Sequence, residues 1–325
     1  MTRLGYQIPN FTYPGVGPAE LFDVVARQAR EADRSGFDTV LVMDHFYQLP
    51  MLGNPDDFML ECYSLLSALA RETSNVRLSA LVTGNTYRVP AVLAKTVTTL
   101  DIVSNGRAQL GIGAGWFELE HDAFGIEFGT FTDRFEKLEE SLQIVIPMLR
   151  GERPSLAGKH YSVSDAMNEP PAVSRIPVMI GGGGEKKTLR MVAQYADESN
   201  LICAPSELPH KLDVIASHCE RLGRDRSEIT VSAQRNVCIA ETHERAEADM
   251  KAFMAPRGID LDTADDTLKQ MVADMVTWGD PDEVSEQLSA ILAHGIDGLT
   301  CNLPANGHQP DNVELLGQVG SKLVG

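Results

Sequence analysis

Short apolar runs alternate with longer amphipathic segments along almost the whole chain. The first run covers 4–8, and the segment after it, 18–34, repeats its apolar residues at helical spacing. Similar short runs predict seven further strands, at 39–43, 76–82, 107–112, 176–180, 199–203, 229–240 and 298–303. Amphipathic segments predict further helices at 59–72, 90–103, 133–150, 188–196, 207–222, 243–253, 262–278, 282–294 and 313–323.

The order of these elements predicts a (β/α)8 TIM barrel. Eight strand-then-helix units within 325 residues fit such a barrel better than a doubly wound sheet. The segment 151–175 interrupts the alternation. It contains prolines and has weak periodicity, so we expect an inserted loop or a small hairpin there. No polar linker divides the chain, and we therefore expect a single domain over 1–325.

Polar residues and glycines collect where the predicted strands end. In TIM barrels the functional residues lie on the loops at the carboxyl ends of the strands, which together form the mouth of the barrel. In this chain that rule selects Gln7, Asp44, His45, Thr83, Gly84, Asn85, Gly113, Ala114, Gly115, Trp116, Gly181, Gly182, Gly183 and Gly184. We expect a ligand site among them.

Four consecutive glycines, Gly181–Gly184, join a predicted strand to a predicted helix. A backbone without Cβ atoms allows close approach of a ligand, and the N–H groups at the start of a helix suit a phosphate. A tight connection without a ligand is the alternative, although one or two glycines are enough for a bare turn. The sixth residue from Gly181 is Lys186 rather than glycine, which excludes a P-loop. The run 111–116 departs from the dinucleotide fingerprint at Trp116.

His45 directly follows a buried strand, so its side chain is expected at the mouth. Histidine titrates near neutral pH and can move a proton during catalysis, but it could equally hydrogen-bond a loop. Asp44 could orient His45, bind a ligand hydroxyl or anchor the turn. The two residues could also bind a metal ion. The sequence contains neither H-x-H nor H-E-x-x-H, however, and we expect no metal site.

Charged and aromatic residues also follow the fourth predicted strand. Trp116 could form the wall of a site for a planar ligand, or it could cap the core. Glu118, Glu120 and His121 could supply an acid, although a solvated loop is the more common explanation for such a group.

Composition narrows the classes of partner. The net charge is −18, from 28 basic and 46 acidic residues, which argues against nucleic acid or an anionic membrane as a partner. The five cysteines are scattered and form no C-x-x-C pair, a pattern typical of reduced thiols. The N-terminus does not resemble a signal peptide, and we expect a cytoplasmic protein that acts on a small molecule.

Six blocks of sequence carry a resemblance when taken in order. They are VMDHF at 42–46, LVTGNTYRVP at 81–90, LDIVSNGR at 100–107, LGIGAGW at 110–116, the glycine turn, and WGDPDEV at 278–284. With these blocks the chain resembles the luciferase-like monooxygenase superfamily over nearly its whole length. Within that superfamily it is most similar to oxidoreductases that depend on coenzyme F420, an 8-hydroxy-5-deazaflavin.

The resemblance implies roles for particular residues. A flavin or deazaflavin would place its phosphate on the glycine turn and its ring in the mouth, and Glu185 is expected among the cofactor-binding residues. His45 matches a histidine that stands beside the ring in F420-dependent relatives, and Asp44 matches the acid before it. Ala80–Leu81 aligns with a non-prolyl cis peptide that lies against the ring. Trp116 stands where sugar-phosphate-oxidising relatives have a proposed proton-donating glutamate, which argues against that substrate class.

The resemblance implies an oxidoreductase that transfers a hydride between coenzyme F420 and a small organic substrate, as a homodimer. Two alternatives stay open. One is an FMN-dependent monooxygenase on the same fold, and the other is a barrel that binds a cofactor or metabolite without catalysis. The substrate is not identified, because the loops expected to form its wall, 47–57, 151–175 and 253–266, have no recognisable pattern.

Overall fold

The computed structural model describes residues 3–324 of the chain. In chain order its strands are β1 (Arg3–Ile8), β2 (Thr39–Val42), β3 (Arg77–Ala80), β4 (Thr83–Gly84), β5 (Ala108–Gly113), β6 (Leu156–Ala157), β7 (Ser162–Val163), β8 (Val178–Gly181), β9 (Glu198–Leu201), β10 (Thr230–Ile239), β11 (Val276–Gly279) and β12 (Gly298–Asn302). Its α-helices are α1 (Leu21–Arg34), α2 (Cys62–Glu72), α3 (Pro90–Ser104), α4 (Glu118–Phe124), α5 (Phe131–Leu149), α6 (Thr188–Tyr195), α7 (Leu208–Leu222), α8 (His243–Met254), α9 (Asp266–Met275), α10 (Pro281–Leu292) and α11 (Asn312–Val324). Within these residues, none of the helices combines the length and the apolar character needed to cross a membrane.

Eight of the strands form a closed, all-parallel barrel. Their order is β1-β2-β3-β5-β8-β9-β10-β12, and β12 pairs with β1 to complete the ring. Because all eight strands run in the same direction, their carboxyl ends meet at one mouth. The predicted (β/α)8 barrel is confirmed.

Apolar side chains fill two separate layers. The larger layer lies between the strands and the surrounding helices, and includes Tyr6, Ile8, Leu66 and Leu110. The smaller layer lies inside the barrel, where Leu41, Leu81 and Met179 form a cluster. Alternate residues of a strand face opposite sides, so one strand can contribute to both layers, as β2 does with Val42 in the larger layer and Leu41 in the smaller.

Charged residues close the end of the barrel opposite the mouth. Arg3 bonds Asp38 at 2.9 Å and Glu198 at 3.3 Å, and Arg77 bonds Glu198 at 2.9 Å. Gln109 donates to the other Glu198 oxygen at 2.8 Å. The carboxylates are therefore paired, as charges that lose contact with water must be.

Local sequence signals set several helix boundaries. α3 begins with Pro90, whose missing N–H costs nothing in the first turn, and ends at Asn105 in the left-handed conformation. α5 begins with a capping box between Thr130 and Asp133. α10 begins with the same arrangement between Asp280 and Glu283. These caps satisfy N–H groups that a helix cannot pair internally.

Three segments differ from the predicted elements or refine them. The insertion 151–175 contains a two-stranded antiparallel hairpin, β6–β7. A small hairpin was one of the two structures expected there. The predicted helix 262–278 is wrong beyond Met275, because β11 pairs there with the end of β10, which extends past its pairing with β12. The group Glu118, Glu120 and His121, for which a solvated loop was the more common explanation, lies on the short helix α4.

Gly111 on β5 tests how tightly the barrel wall is packed. A Cβ at this position would lie 2.0 Å from the Ala80 carbonyl oxygen and 2.9 Å from Met179 Cε. Since a backbone oxygen cannot move aside cheaply, we expect Gly111→Ala to lower the free energy of unfolding by about 1–3 kcal/mol. Chemical denaturation measures this change.

Gly183→Ala is the matched control, because a Cβ at Gly183 would meet nothing closer than 3.7 Å. It should leave the free energy of unfolding close to the wild-type value. A Gly111→Ala variant as stable as this control would contradict the described packing between β5 and β3.

Candidate active site

His45 lies at the mouth, three residues after β2 ends, and its side chain is 14% exposed. Its Nδ1 atom lies 2.9 Å from Oε2 of Glu120 on α4. The other ring nitrogen, Nε2, has no hydrogen bond to any residue between 3 and 324. One edge of the imidazole is thus held by the protein, and the other is available to a ligand.

Glu120 is fully buried and accepts several hydrogen bonds. Its Oε1 accepts from the backbone N–H groups of Phe46 and Tyr47, the latter at 2.8 Å. Its Oε2 accepts from the Tyr87 hydroxyl as well as bonding His45. Burial favours the neutral acid, but the bonds from His45, Tyr87 and Tyr47 outweigh it and lower the pKa of Glu120 below its ordinary value.

Aromatic rings surround His45. Trp116 is 59% exposed and presents its ring at 74° to the imidazole, with 5.8 Å between ring centroids. Phe117 stacks on Trp116 at 5.2 Å and also meets His45 edge-on. Phe46 stacks on Phe124 at 4.6 Å. The open position of Trp116 fits the wall of a site better than a cap on the core.

The Asp44 carboxylate does not bond His45, although orienting that residue was one of the three roles considered for Asp44. The carboxylate bonds Arg88 at 2.6 and 2.9 Å and accepts the Gly84 N–H at 3.0 Å. Arg88 also bonds Glu61 at 2.6 Å. Burial raises the pKa of Asp44, and its bonds with Arg88 oppose that shift. Asp44 therefore anchors the loop after β3, one of the roles considered for it, while Glu120 holds His45.

The cis peptide bond also lies elsewhere than expected. It joins Leu81 to Val82 rather than Ala80 to Leu81. The Leu81 N–H still donates to the Val42 carbonyl at 2.8 Å, so the chain follows the β2 ladder one residue further before it departs. Val82 then fits beside two glycines: a Cβ on Gly113 or Gly181 would lie 2.8 or 2.6 Å from its methyl groups.

The predicted residues of β1 and β4 have different surroundings. Gln7 lies inside the barrel, where its Oε1 accepts from Gln234 and Asn302, each at 3.0 Å, and its amide donates to the Leu81 carbonyl at 3.4 Å. The Thr83 hydroxyl bonds the Tyr63 hydroxyl at 2.7 Å.

Asn85 directly follows β4 and is only 1% exposed. Neither its Nδ2 nor its Oδ1 has a hydrogen-bond partner within the described part of the chain. A buried carboxamide without partners is costly, so this side chain is suited to bind a group that the protein does not itself provide.

The glycine turn joins β8 to α6. Gly182 has a φ of +116°, a conformation that favours glycine, and its N–H donates to the Asn200 carbonyl at 2.9 Å. The space above Gly183 is open, because a Cβ there would make only ordinary contacts. Glu185 bonds Lys211 Nζ at 2.7 Å, and Lys211 Cε would lie 3.9 Å from a Cβ at Gly183. The turn can accommodate a phosphate at its backbone.

The run 113–116 connects the glycine-rich part of the mouth to the aromatic part. Gly113 pairs with Gly84 at the ends of β5 and β4. Ala114 follows it, partly buried against the main core. Gly115 has a φ of +80°, and its carbonyl accepts from Arg134 at 3.2 Å. The run therefore turns the chain so that Trp116 stands beside His45.

The other acidic candidates lie apart from His45. Glu118 is exposed on α4. His121 is buried, with Nδ1 2.8 Å from the Phe117 carbonyl and Nε2 2.7 Å from the Thr86 hydroxyl. A carbonyl can only accept, so Nδ1 carries a proton. Both ring nitrogens of His121 are bonded within the protein, and the residue has a structural role.

Arg257 contacts the loop after β2 at the rim of the mouth, and a separate acidic cluster lies on α5. Arg257 donates to the carbonyls of Met51 and Leu52 at 3.0 and 2.5 Å, and its guanidinium lies 3.7 Å from the Phe253 ring centroid.

Within the described residues, the cluster with metal-ligand geometry is Asp133, Glu136 and His160. Lys159 Nζ lies 2.7 Å from Glu136 and 3.4 Å from Asp133, where it balances their charge.

Sequence reasoning missed the contact between Glu120 and His45 and the part played by Tyr87. A signal for α4 was present: acidic residues at its start and Gly125 in the left-handed conformation at its end are typical of a short helix. Recognising that helix would have placed Glu120 on one of its faces. Its partner, 75 residues earlier in the chain, could not be identified from spacing.

Several known proteins are similar to this chain. The F420-dependent glucose-6-phosphate dehydrogenase of Segniliparus rotundus is 29% identical over 330 residues, covering 94% of this chain and 92% of its own. The structure of an F420-dependent secondary alcohol dehydrogenase with an F420–acetone adduct has a TM-score of 0.80 at 18% identity, covering 100% and 99% of the two chains. The oxygenating component of a Pseudomonas putida diketocamphane monooxygenase, in complex with FMN, has a TM-score of 0.75 at 19% identity, covering 99% and 98%.

The two structures are too distant in sequence to show more than a shared barrel. The family model described as luciferase-like monooxygenase matches residues 2–298, which is most of the chain. This match agrees with the closed parallel barrel and with the order of the sequence blocks along it. The chain therefore belongs to the luciferase-like monooxygenase family.

Proposed function

We propose that this protein is an oxidoreductase that uses coenzyme F420 to transfer a hydride to or from a small organic substrate. The observation that carries the proposal is the Nε2 atom of His45, which is free at the mouth while Nδ1 is held by Glu120. Relatives similar over nearly the whole chain are named as F420-dependent dehydrogenases, which supports the same cofactor here.

The residues at the mouth fit the cofactor. The open backbone of Gly183 and the start of α6 suit its phosphate. The unpaired amide of Asn85 offers a donating NH₂ group and an accepting oxygen, which complement the C=O and N–H groups on the pyrimidine edge of a flavin or deazaflavin ring. Trp116 offers a flat apolar surface beside His45.

When bound, coenzyme F420 supplies hydride acceptance or donation at C5 of its ring, and the protein supplies the remaining requirements. Converting a hydroxyl to a carbonyl, or the reverse, also moves a proton. His45 Nε2 is the group we assign to that proton, and the rings of Trp116 and Phe117 restrict water around it.

The proposal does not extend to glucose 6-phosphate, the substrate named for the Segniliparus relative. Trp116 occupies the position at which the resemblance places the acid of sugar-phosphate enzymes. An indole in place of a carboxylate removes a proton donor and adds apolar surface. A neutral hydroxyl or carbonyl compound suits this wall better than a sugar phosphate.

The choice of cofactor is tested by parallel titration of the protein with coenzyme F420 and FMN. We expect F420 to bind more tightly, because the sequence blocks and the named relatives both indicate a deazaflavin. Fluorescence or absorbance changes give the two dissociation constants. Tighter binding of FMN by tenfold, about 1.4 kcal/mol, would replace this proposal with the FMN-dependent monooxygenase.

The phosphate position is tested by substitutions at Gly183. We expect Gly183→Val to weaken F420 binding by at least about tenfold, because a branched side chain would occupy the open space above the backbone. Gly183→Ala, with a smaller side chain at the same position, should have a smaller effect. Wild-type affinity in a folded Gly183→Val variant would show that the phosphate binds elsewhere.

The role of His45 is tested by single-turnover absorbance at saturating cofactor. We expect His45→Ala to lower the rate of hydride transfer by roughly 10²–10⁴-fold, the usual contribution of general acid–base catalysis, with little change in cofactor affinity. His294→Ala is the control, since His294 precedes β12 and lies at the opposite end of the barrel.

Two outcomes would contradict these assignments in different ways. A wild-type rate of hydride transfer in His45→Ala would remove this residue from catalysis. Stoichiometric F420 binding without turnover, across a panel of alcohols, ketones and activated alkenes, would favour a barrel that binds the cofactor and catalyses nothing.

A further inference from the structure

We infer that Glu120 is a positioning residue that fixes the tautomer of His45, with the proton on Nδ1 and the lone pair on Nε2. The catalytic consequence rests on the proposed function, but the tautomer itself does not. The inference comes from the hydrogen bonds around one buried carboxylate, which leave a single consistent arrangement of protons.

The groups around Glu120 identify its charge state. Phe46 and Tyr47 present backbone N–H groups to Oε1, and Tyr87 presents its hydroxyl to Oε2. Three donors directed at two oxygens suit an ionised carboxylate, which can only accept. The lowered pKa of Glu120 has the same cause.

An ionised Glu120 determines which nitrogen of His45 carries hydrogen. Oε2 lies 2.9 Å from Nδ1, a distance that requires a hydrogen between them. The carboxylate has none to give, so Nδ1 is the donor. In a neutral imidazole the second nitrogen, Nε2, is then an acceptor. The unpartnered nitrogen of the ring is therefore its basic one.

Glu120 also restricts movement of the ring. The same carboxylate joins three segments of the chain: the loop after β2, the turn after β4 and the helix α4. The alternative is a purely structural role, in which Glu120 only holds these segments together. In that case the tautomer of His45 would not depend on Glu120, and measuring the tautomer distinguishes the two interpretations.

The tautomer matters when a proton moves. If a substrate hydroxyl gives its proton to Nε2, the O–H bond breaks and an N–H bond forms, and His45 becomes an imidazolium. Its positive charge then lies beside the Glu120 carboxylate, which stabilises it. In the reverse direction the Nε2–H returns its proton to a carbonyl oxygen. With the opposite tautomer, Nε2 could not accept the first proton.

The tautomer is measured directly by ¹⁵N nuclear magnetic resonance on protein labelled at histidine. The experiment uses the full chain without cofactor, at a pH where the ring is neutral, and a His45→Ala sample assigns the signals. We expect the Nδ1–H form in the wild-type protein. A wild-type ring with its proton on Nε2 would overturn the inference, and this test needs no altered Glu120.

Glu120→Gln provides the second test. The amide oxygen can still accept from Phe46 and Tyr47, but its NH₂ group would face Nδ1 and favour the opposite tautomer. We expect the Nε2–H form and a fall of roughly 10²–10⁴-fold in hydride transfer, with unchanged cofactor affinity. Glu118→Gln makes the same substitution on the exposed face of α4 and should leave the tautomer as in the wild-type protein.

The outcomes are distinguishable. A folded Glu120→Gln variant that retains the Nδ1–H form and the wild-type rate of hydride transfer would show that Glu120 only holds the three segments together. Absence of F420 binding or turnover in the wild-type protein would contradict the proposed function, yet the resonance measurement would still decide the tautomer.

Discussion

The parallel strands of a closed barrel must satisfy every backbone hydrogen bond within the ring, and this requirement governs the rest of the structure. Closure brings the carboxyl ends of strands from distant parts of the chain to one mouth. The interior of an eight-stranded barrel has little room, so glycines stand where another group must pass. Gly113 and Gly181 leave space for Val82, and within the same interior the amides of Gln234 and Asn302 both donate to Gln7 Oε1.

Above that interior, the mouth is organised by two buried carboxylates with separate functions. Asp44 is paired with Arg88 and secures the loop after β3, whereas Glu120 meets neutral donors and an imidazole. Asp44 pairs with a guanidinium, whereas Glu120 has no cationic partner other than a protonated His45 among the groups that bond it. Adjacent positions in the chain, Asp44 and His45, thus belong to different networks.

The fold could be predicted from the sequence because the spacing of apolar residues indicates which face of each helix or strand is buried. Strand-like runs and helical segments predicted the barrel and the positions at its mouth, including His45, Trp116 and the glycine turn. β11 was not predicted, because its four residues continue a helical pattern. They form a strand because they pair with the part of β10 that extends beyond β12. The partners of Asp44 and His45 were not predicted, because the contacts span 44 and 75 residues, and no local spacing encodes them.

Arg257 holds the rim of the mouth through backbone atoms, and this determines which residues of the rim can change. It donates hydrogen bonds to the backbone carbonyl oxygens of Met51 and Leu52, and Met51 itself is 74% exposed. Every amino acid has a backbone carbonyl, so the residues at 51 and 52 can be exchanged without loosening that attachment. The rim combines a constant main-chain tether with interchangeable side chains, and evolution or a protein engineer can alter what the mouth admits without rebuilding what holds it in place.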